Sequence, residues 1–487
     1  MSDSSGHNHR GDGDYHHHSE HRHSHYHHSH DHGYDNADSS RNHGRQSDWQ
    51  RHQRPGNGRP YDDRQRGGGS RFDRRDRRDD GQNLKRKASD VPPEQFEEPT
   101  FAVSGDAGLN HKHLEELLTA AGMRKVDKLE PGMVLRFLWM ELMETFRFDR
   151  TCFSVLSYAR NILDDEKKRT CVSDKGNLHR MLQKQFPEVA AAHLPATFCL
   201  DDLQPDKVDW DHHMYIVRPT GTFAWCGNGI QRATNADELR KIQRDMAKSK
   251  DRPLASEYIK NPLLWQGRKM HLRTYWLVRG RTDHSPFFTM LWDRAKILTA
   301  KKPYVCGHFE DSEIHDSHAK GTPRNLFWPD DLRDALTTEQ IEHIQNQMRE
   351  VLSCIGKAFE PIAQPFPESL WGFEIFGCDF MVDAESLNVF LLECNERVGY
   401  QMVPGETDAS GRFAKFTEDY YNWVYDNALA PLLQLPPRSS LKLPPPLPSS
   451  KDEENKAQEK IPSPVEEEPS TKAASQKLPE TEVEPQK

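Results

Sequence analysis

The sequence predicts an α/β (or α+β) fold for the central part of the chain, roughly residues 101–435. Segments with strict polar–apolar alternation, such as Lys269–Val278, indicate strands. Segments with apolar residues at helical spacing, such as Thr338–Phe359, indicate amphipathic helices. Because the two kinds of segment are interleaved along the chain, we expect helices and strands to share one core.

Polar tails flank this region. The 487-residue chain is 34% hydrophobic and 29% charged, and its polarity is concentrated at the two ends. We expect disordered tails at residues 1–100, rich in His, Arg and Gly, and at residues 436–487, rich in Pro, Glu and Lys. Segments with so few apolar residues cannot offset the entropy lost on ordering. Between the tails we expect an N-terminal lobe at 101–205, and central and C-terminal lobes at 206–435.

The N-terminal tail is open to several functional interpretations. Its first 52 residues carry 14 of the 26 histidines, and clustered imidazoles can bind a transition metal. Residues 51–87 carry 13 Lys or Arg against 6 Asp or Glu, which is compatible with weak RNA binding. Lys85-Arg86-Lys87 can serve as a nuclear import signal. The simplest interpretation is a solubilising tail with none of these roles.

Composition also excludes some classes of protein. No apolar run reaches the ~18 residues that a membrane span needs, so no membrane partner is expected. The chain is polar from Met1, which predicts no secretory signal. The 8 cysteines are scattered without a CxxC pair, as is typical of reduced thiols in an intracellular protein without a zinc site. We therefore expect a cytoplasmic location, with the nucleus as the alternative.

The remaining elements follow in chain order. Met133–Phe146 has apolar residues at helical spacing and predicts a buried amphipathic helix. Met214–Val217 predicts a short strand, and Asn235–Lys248 predicts an exposed helix with Asn235 as its cap. Phe413–Leu433 predicts an aromatic-rich helix that closes the domain.

The segment Gly377–Asn395 predicts a β-hairpin, because two β-type runs flank a five-residue polar loop, Ala384 to Asn388. If Asp383 pairs with Val389, Asp379 lies directly opposite Glu393 and Gly377 lies opposite Asn395. Directly opposed side chains have Cβ atoms about 5 Å apart, and alternation puts Glu393 and Asn395 on one face. The hairpin therefore predicts that Asp379, Glu393 and Asn395 converge.

This convergence favours a cation site. Two carboxylates at such a distance repel each other unless something positive lies between them. Mg²⁺ is held by one or two carboxylates, an amide, waters and substrate phosphates, so the three side chains are suitable ligands. The alternative is a set of strand-end polar residues that face solvent.

The strand Lys269–Val278 is unusually basic on one face. Alternation places Lys269, His271, Arg273 and Tyr275 on one side and Met270, Leu272, Thr274 and Trp276 on the other. Arg and Lys side by side suit the oxygens of phosphate groups. This face is therefore either an anion site or the outer side of a solvated edge strand.

A glycine-rich loop follows the strand at Met214–Val217. It begins after Arg218-Pro219 and contains Gly221, Gly227 and Gly229. Glycines allow a backbone to close over phosphates and present its N–H groups. An ordinary turn is the alternative.

The order of these motifs resembles the ATP-grasp fold and, within it, the tubulin–tyrosine ligase-like family. The matching segments are YIVRPTGTFAWCGNGI, EYIKNPLLWQGRKMHLRTYWLV and FEIFGCDFMVDAESLNVFLLECN. They are similar to the family patterns W-I-x-K-P…G-x-G-I, Y-I-x-N-P…G-x-K-F-D-x-R-x-Y and F-E-x-x-G-x-D…W-L-L-E-V-N. Val172–Leu182 is a weaker match, similar to T-x-K-x-x-L. The likeness covers roughly residues 150–430.

The resemblance implies an enzyme that holds ATP between two lobes. Such enzymes join an amino acid to a protein carboxyl group through an acyl phosphate, with ATP and Mg²⁺ as cofactors. It implies Asp379, Glu393 and Asn395 as Mg²⁺ ligands. The implied catalytic residues are Arg273 and, nearby, Lys269, which would steady the γ-phosphate and the acyl phosphate.

The resemblance also implies a set of nucleotide-binding residues. Arg218 would contact the α- and β-phosphates, and Lys175 is a weaker candidate for a phosphate contact. Gly227 and Gly229 belong to the phosphate loop. The segment Glu257, Tyr258 and Ile259 would supply the hinge against adenine, largely through backbone groups. The implied partners are ATP, a free amino acid and an acceptor protein, for which tubulin is one candidate.

Two positions depart from the family pattern. Arg218 stands where lysine is usual, and His271 stands where aspartate is usual, although an imidazole cannot replace a carboxylate. The segment His315–His318 lacks the asparagine of the pattern H-x-T-N. ATP binding is therefore a safer expectation than ligation of a particular amino acid. The alternative is a nucleotide-binding but inactive scaffold whose tails bind RNA or a partner.

Overall fold

The structure is a computed structural model that describes residues 86–104, 111–140, 150–218, 230–247, 253–309, 311–317, 321–396, 398 and 410–443. The mixed α/β class is confirmed, because helices pack against a large mixed sheet. Most of both predicted tails and the glycine-rich loop at 219–229, including Gly227 and Gly229, lie outside the described residues.

Strands and helices alternate along the described segments. The strands are β1 Thr100–Ser104, β2 Arg124–Lys125, β3 Val134–Met140, β4 Leu156–Arg160, β5 Thr197–Cys199, β6 Tyr215–Arg218, β7 Gln231–Ala233, β8 Leu254–Glu257, β9 Leu264–Trp265, β10 Arg268–Arg279, β11 Phe288–Thr299, β12 Phe327–Trp328, β13 Ser369–Val382 and β14 Val389–Glu396. The helices are α1 Lys112–Ala120, α2 Asp165–Cys171, α3 Lys175–Gln185, α4 Pro187–His193, α5 Ala236–Met246, α6 Thr338–Phe359, α7 Arg412–Val424 and α8 Ala430–Leu433.

Among the described residues, the main sheet has ten strands in the order β12-β11-β10-β13-β4-β3-β1-β2, with β14 paired to β13 and β9 paired to β10. Its β13-β4-β3-β1-β2 part is parallel, whereas β10 to β12 and β14 pair antiparallel. The long strand β13 contacts β4 near its start and β14 near its end. A second, antiparallel sheet has the order β5-β8-β6-β7.

Helix α6 covers one face of the main sheet. Its predicted bounds, Thr338–Phe359, are confirmed, and Thr337 caps it in a capping box with Gln340. Ile344, Val351 and other buried residues at helical spacing pack on the sheet. The opposite face is covered by α7, which continues through a π-helical turn into α8 and contributes an aromatic cluster.

The predicted helix at Met133–Phe146 is wrong. Val134–Met140 is the strand β3, paired in parallel with β1 and β4 inside the main sheet. Such a strand is buried on both faces and has a nearly continuous apolar run, which periodicity alone does not distinguish from a buried helix. Residues 141–149 lie outside the described ranges.

Other predicted elements are confirmed with small shifts. The strand predicted at Met214–Val217 is β6, Tyr215–Arg218. Asn235 caps α5, since its side chain accepts a hydrogen bond of 2.9 Å from the N–H of Glu238. The closing helix predicted at Phe413–Leu433 is the continuous run α7 to α8.

Some described residues near the expected domain boundaries pack against the core. Ala88 and Phe96, assigned to the N-terminal tail, are fully buried against Leu156. Leu441 and Leu443, assigned to the C-terminal tail, pack against the aromatic cluster. The expected lobe boundary at 205 does not separate the sheets, because β5 pairs with β8 and β4 pairs with β13. Among the described helices, none combines the length and the apolarity that crossing a bilayer requires.

Candidate functional site

The β13–β14 hairpin brings the predicted cation ligands together. Asp379 pairs with Glu393 and Gly377 pairs with Asn395, as predicted. Near the turn, Val382 pairs with Val389, one residue away from the predicted register. A β-bulge at Leu392 absorbs the difference, because this extra residue has no partner on β13.

Asp379 and Glu393 each have their own cation. Arg273, on the neighbouring strand β10, donates to both oxygens of Asp379, with Nη2 2.8 Å from Oδ2. Lys175, the first residue of α3, places Nζ 2.7 Å from Oε2 of Glu393. Asn395 Nδ2 donates to Glu393 at 2.9 Å and to Asp379 at 3.5 Å. We call these five residues the front network.

The charges of the front network reinforce one another. Burial by itself raises the pKa of Glu393, but Lys175, Asn395 and Arg218 outweigh it and lower the pKa to about 2. Burial likewise opposes the charge of Arg273, and the pairing with Asp379 raises its pKa above the usual range. The positive charge expected between the two carboxylates is therefore supplied here by protein side chains.

The front network also suits Mg²⁺. Two carboxylates and an amide converge within one set of hydrogen bonds, and they are the hard oxygen donors that this ion prefers. A carboxylate oxygen that accepts one hydrogen bond still has a lone pair to offer. Within the described ranges, no group of three His, Cys, Asp or Glu side chains could hold a metal ion, and Asn395 faces the two carboxylates with its Nδ2, so its Oδ1 would have to turn towards a bound ion.

The basic face of β10 is confirmed, but its residues have different neighbours. Lys269, His271 and Arg273 are partly buried on one face, whereas Met270, Leu272 and Thr274 are buried on the other. His271 Nε2 lies 4.0 Å from Oδ2 of Asp379. The face therefore lines the front network and is not a solvated edge, because β10 is flanked by β11 and β13.

Lys269 lies among aromatic rings. Its Nζ is 4.4 Å from the ring centroid of Tyr258 and donates to the Tyr258 hydroxyl at 3.1 Å. That hydroxyl donates to Tyr304 at 3.1 Å. Burial lowers the pKa of Lys269 to about 8.

The predicted hinge ends β8. The N–H groups of Glu257 and Tyr258 already donate to the carbonyls of Ala196 and Met214, both at 2.8 Å. The carboxylate of Glu257 lies 2.8 Å from Nδ1 of His213. The backbone N–H groups of Glu257 and Tyr258, which were predicted to face adenine, are therefore already used in hydrogen bonds within the fold. Ile259 lies beyond the end of β8.

Arg218 links the small sheet to the hairpin. Its Nη2 donates to the Ser256 hydroxyl at 3.1 Å, and its Nη1 is 3.5 Å from the carbonyl of Leu392, the bulge residue. Burial lowers the pKa of Arg218, although the charge of Glu393 opposes this shift. Arg218 thus contacts β14, the strand that carries Glu393 and Asn395 of the front network.

A second charge cluster lies on the opposite face of the hairpin, and the sequence analysis missed it. Lys168 of α2 is fully buried, with Nζ 2.9 Å from Asp165, 2.9 Å from Glu374 and 3.6 Å from Glu396. We call these four residues the rear cluster. Burial raises the pKa of Glu374 to about 7, against the attraction of Lys168. The sequence feature that could have indicated this cluster is Glu374, a charged residue inside the apolar run of β13.

A family model supports the motif resemblance. Residues 166–318 match the model described as the tubulin-tyrosine ligase family. The matched range includes Lys175, Arg218, the hinge and the basic face of β10. The β13–β14 hairpin lies beyond it.

Three curated proteins show the same likeness. The probable tubulin–tyrosine ligase of Schizosaccharomyces pombe is 28% identical over 192 residues, which are 37% of this chain and 43% of that protein. The polyglycylase TTLL10 of Macaca fascicularis and the inactive polyglycylase TTLL10 of Homo sapiens are each 23% identical over 37% of this chain. The matches span 33% and 30% of those two proteins. The chain thus matches less than half the length of each relative.

A solved structure also matches in general shape. It is the C-terminal domain of Pby1 from K. lactis, described as an ATP-grasp enzyme that interacts with the mRNA decapping enzyme Dcp2. The TM-score is 0.46 at 17% identity, over 69% of this chain and 95% of that chain. The family match and the curated relatives therefore confirm the likeness that the motifs indicated: this chain resembles the tubulin–tyrosine ligase family.

Proposed function

We propose that the protein is an ATP- and Mg²⁺-dependent carboxylate–amine ligase that adds an amino acid to an acceptor protein. The observation that carries this proposal is the front network. A single connected set of charges joins Arg273, Asp379, Asn395, Glu393 and Lys175 on one face of the hairpin. The family likeness supports the ligase class.

The residues of the front network have distinct tasks in this reaction. Asp379, Glu393 and Asn395 would hold Mg²⁺ through their oxygens. Mg-ATP would supply the γ-phosphoryl group that converts a carboxylate into an acyl phosphate with release of ADP, and an amine would then attack the acyl carbon, form the amide and release inorganic phosphate. Arg273, fixed by two hydrogen bonds to Asp379, presents its charge to the transferred phosphoryl group. Catalysis of this kind depends on positioning and charge neutralisation.

The positions of Lys269 and Lys175 fit auxiliary tasks. With a pKa of about 8, Lys269 remains mostly protonated at neutral pH and can exchange its contact with Tyr258 for a phosphate oxygen. The ammonium group of Lys175 can contact Glu393 and, at the same time, a phosphate at the N-terminus of α3. Glu257, Tyr258 and Ile259 border the adenine position, and Gly227 and Gly229 contribute to the phosphate loop.

Acceptor and amino acid are proposed only as classes. Tubulin is the candidate acceptor because a relative is described as a tubulin–tyrosine ligase. His271 lies beside Asp379, where the family pattern has an aspartate, so we propose no particular amino acid. At position 271 this chain therefore departs from the family pattern.

The test measures transfer and ATP turnover together. The protein is incubated with Mg-ATP, an amino-acid mixture and cell extract, and mass spectrometry identifies acceptor proteins that gain a residue. We expect Asp379→Ala and Glu393→Gln to reduce ADP formation and transfer by about 100-fold or more, because each removes a metal ligand. Glu385→Gln, in the exposed turn of the same hairpin, is the matched control and should keep full activity.

Thermal unfolding of each variant separates loss of chemistry from loss of fold. Normal turnover in both folded ligand variants would end the proposal. Saturable ATP binding by the unaltered protein without ADP formation or transfer would instead support the inactive-scaffold alternative.

A further inference from the structure

His179 is buried beside the front network. It lies on α3, one helical turn after Lys175, and its side chain is 2% exposed. Within the part of the chain that the structure describes, neither of its ring nitrogens has a partner. Leaving a buried polar group unsatisfied costs roughly 1–3 kcal/mol, so an unpartnered imidazole calls for an explanation.

Other buried histidines of the fold do have partners. His111 places Nδ1 2.6 Å from the hydroxyl of Tyr421, although among the described residues its Nε2 has no partner, and His193 places Nδ1 3.1 Å from the carbonyl of Val389. Both are 6% exposed, so they are comparable to His179 in burial. Burial alone therefore does not leave a histidine of this protein unpaired.

The neighbours on α3 fix where His179 points. Lys175, His179 and Gln183 share one helix face because they are four residues apart. Lys175 contacts Glu393 of the hairpin, and Gln183 donates to the carbonyl of Thr197 in the small sheet at 3.4 Å. His179 lies between these two contacts.

Arg218 is connected to the Thr197 side of this region through Ser256. Thr197 donates to the hydroxyl of Ser256 at 2.9 Å, and Ser256 in turn accepts from Nη2 of Arg218. The Nε of Arg218 is itself buried, and among the described residues it has no partner. Burial and the nearby charge of Arg218 together lower the pKa of His179 to about 4, so the imidazole is neutral and can donate one N–H.

The unsatisfied groups thus share one location and one chemical preference. A guanidinium N–H and an imidazole N–H are donors, and Lys175 adds a second positive charge one turn away. Charge and donors of this kind suit the oxygens of a phosphate.

We propose that His179 and Nε of Arg218 together bind a phosphate group of the nucleotide, at its α- or β-phosphate. The proposal rests on the proposed function, since it takes the nucleotide from there. It adds His179, which no motif had assigned, to the binding residues.

The test compares His179→Leu and His179→Gln with the unaltered protein. Dissociation constants for ATP, ADP and adenosine are measured by competition against a fluorescent ATP analogue. We expect His179→Leu to weaken ATP and ADP alike by about tenfold or more, as loss of a charge-assisted hydrogen bond does, and to leave adenosine unchanged. His179→Gln retains a donor and should lose less.

His111→Leu is the matched control, because it removes a similarly buried imidazole far along the chain. It should leave nucleotide affinity unchanged. Leucine at position 179 removes two unsatisfied atoms, so its melting temperature without ligand should not fall. If His179→Leu does not fold, His179→Gln carries the comparison.

Two outcomes overturn the proposal in distinguishable ways. Equal ATP affinity of His179→Leu and the unaltered protein would show that His179 is only a packing residue, with the proposed function intact. If the unaltered protein binds no ATP, the proposed function fails, and inorganic tripolyphosphate becomes the probe. Binding of tripolyphosphate that depends on His179 would keep the anion site, and its absence would remove it.

Discussion

The two faces of the β13–β14 hairpin both carry buried charges, but they balance them differently. In the rear cluster one fully buried lysine, Lys168, serves three carboxylates. Its central pair, Lys168 and Glu374, is 0% and 4% exposed, whereas Asp165 and Glu396 at its border are 28% and 17% exposed. In the front network each carboxylate has its own cation: Arg273 and Asp379 are 14% and 6% exposed, and Lys175 and Glu393 are 22% and 23% exposed.

The difference separates a structural role from a binding role. A fully buried pair such as Lys168 and Glu374 can satisfy only its own members, and removing one leaves the other uncompensated. Charges that remain partly accessible can exchange a protein partner for a ligand. Lys175 and Glu393 of the front network have this property.

The largest expected effect is the loss of the rear cation. Lys168→Met should lower the free energy of unfolding by about 3–5 kcal/mol, because Glu374, whose side chain is 4% exposed, would stay buried without its cation. Urea unfolding at pH 7 measures this change. Lys167→Met, on the same helix, is the control and should change stability by about 0.5 kcal/mol at most. A small effect at Lys168 would mean that the buried pair of Lys168 and Glu374 does not stabilise the fold.

The next effect is a pH dependence specific to the rear cluster. The pKa of Glu374 is raised to about 7 by burial, so its protonated form favours the folded state. The resulting stability is fully present below pH ~4.5 and is lost as the pH rises through about 7. Glu374→Gln mimics the protonated form at every pH. Relative to the unaltered protein it should therefore gain stability from pH 4.5 to above 7, by up to about 3 kcal/mol.

Urea unfolding of both proteins across that pH range provides the measurement. Glu360→Gln, at an exposed surface pair with Arg281, is the control and should follow the unaltered protein. Parallel curves for Glu374→Gln and the unaltered protein would contradict the assignment.

Sequence reasoning predicted what depends on local spacing. The pairing of Asp379 with Glu393 follows from the length of one turn, and α6 follows from its apolar spacing and its cap. The bulge at Leu392 shifts the register near the turn by one residue without moving the carboxylates. The prediction was therefore right about the pairing of Asp379 with Glu393 and wrong by one residue about the register near the turn.

What could not be predicted depends on contacts between distant segments. Lys168 and Glu374 are 206 residues apart, and they meet because β4, just before α2, pairs in parallel with β13. Nothing in the periodicity of either segment specifies that neighbour. The same limit explains β3: its apolar run fits a helix until β1 and β4 are known to flank it.

The smallest expected effect on stability comes from the front network. Lys175→Met should lower the free energy of unfolding at pH 7 by about 1 kcal/mol, because the pair with Glu393 is partly exposed and Arg218 and Asn395 remain. In the unaltered protein the lowered pKa of Glu393 adds stability above pH ~4.5, which is lost as the pH falls towards about 2. Without Lys175 this acid loss should shrink.

The matched control is Lys184→Met, on an exposed position of the same helix. Unfolding at pH 7 and at pH 3 compares the two variants, and ATP affinity adds a functional readout. We expect Lys175→Met to lose affinity for ATP and Lys184→Met to keep it. The opposite result would be a stability loss at Lys175 as large as that at Lys168, with ATP affinity unchanged. The front network would then stabilise the fold and would not bind the nucleotide.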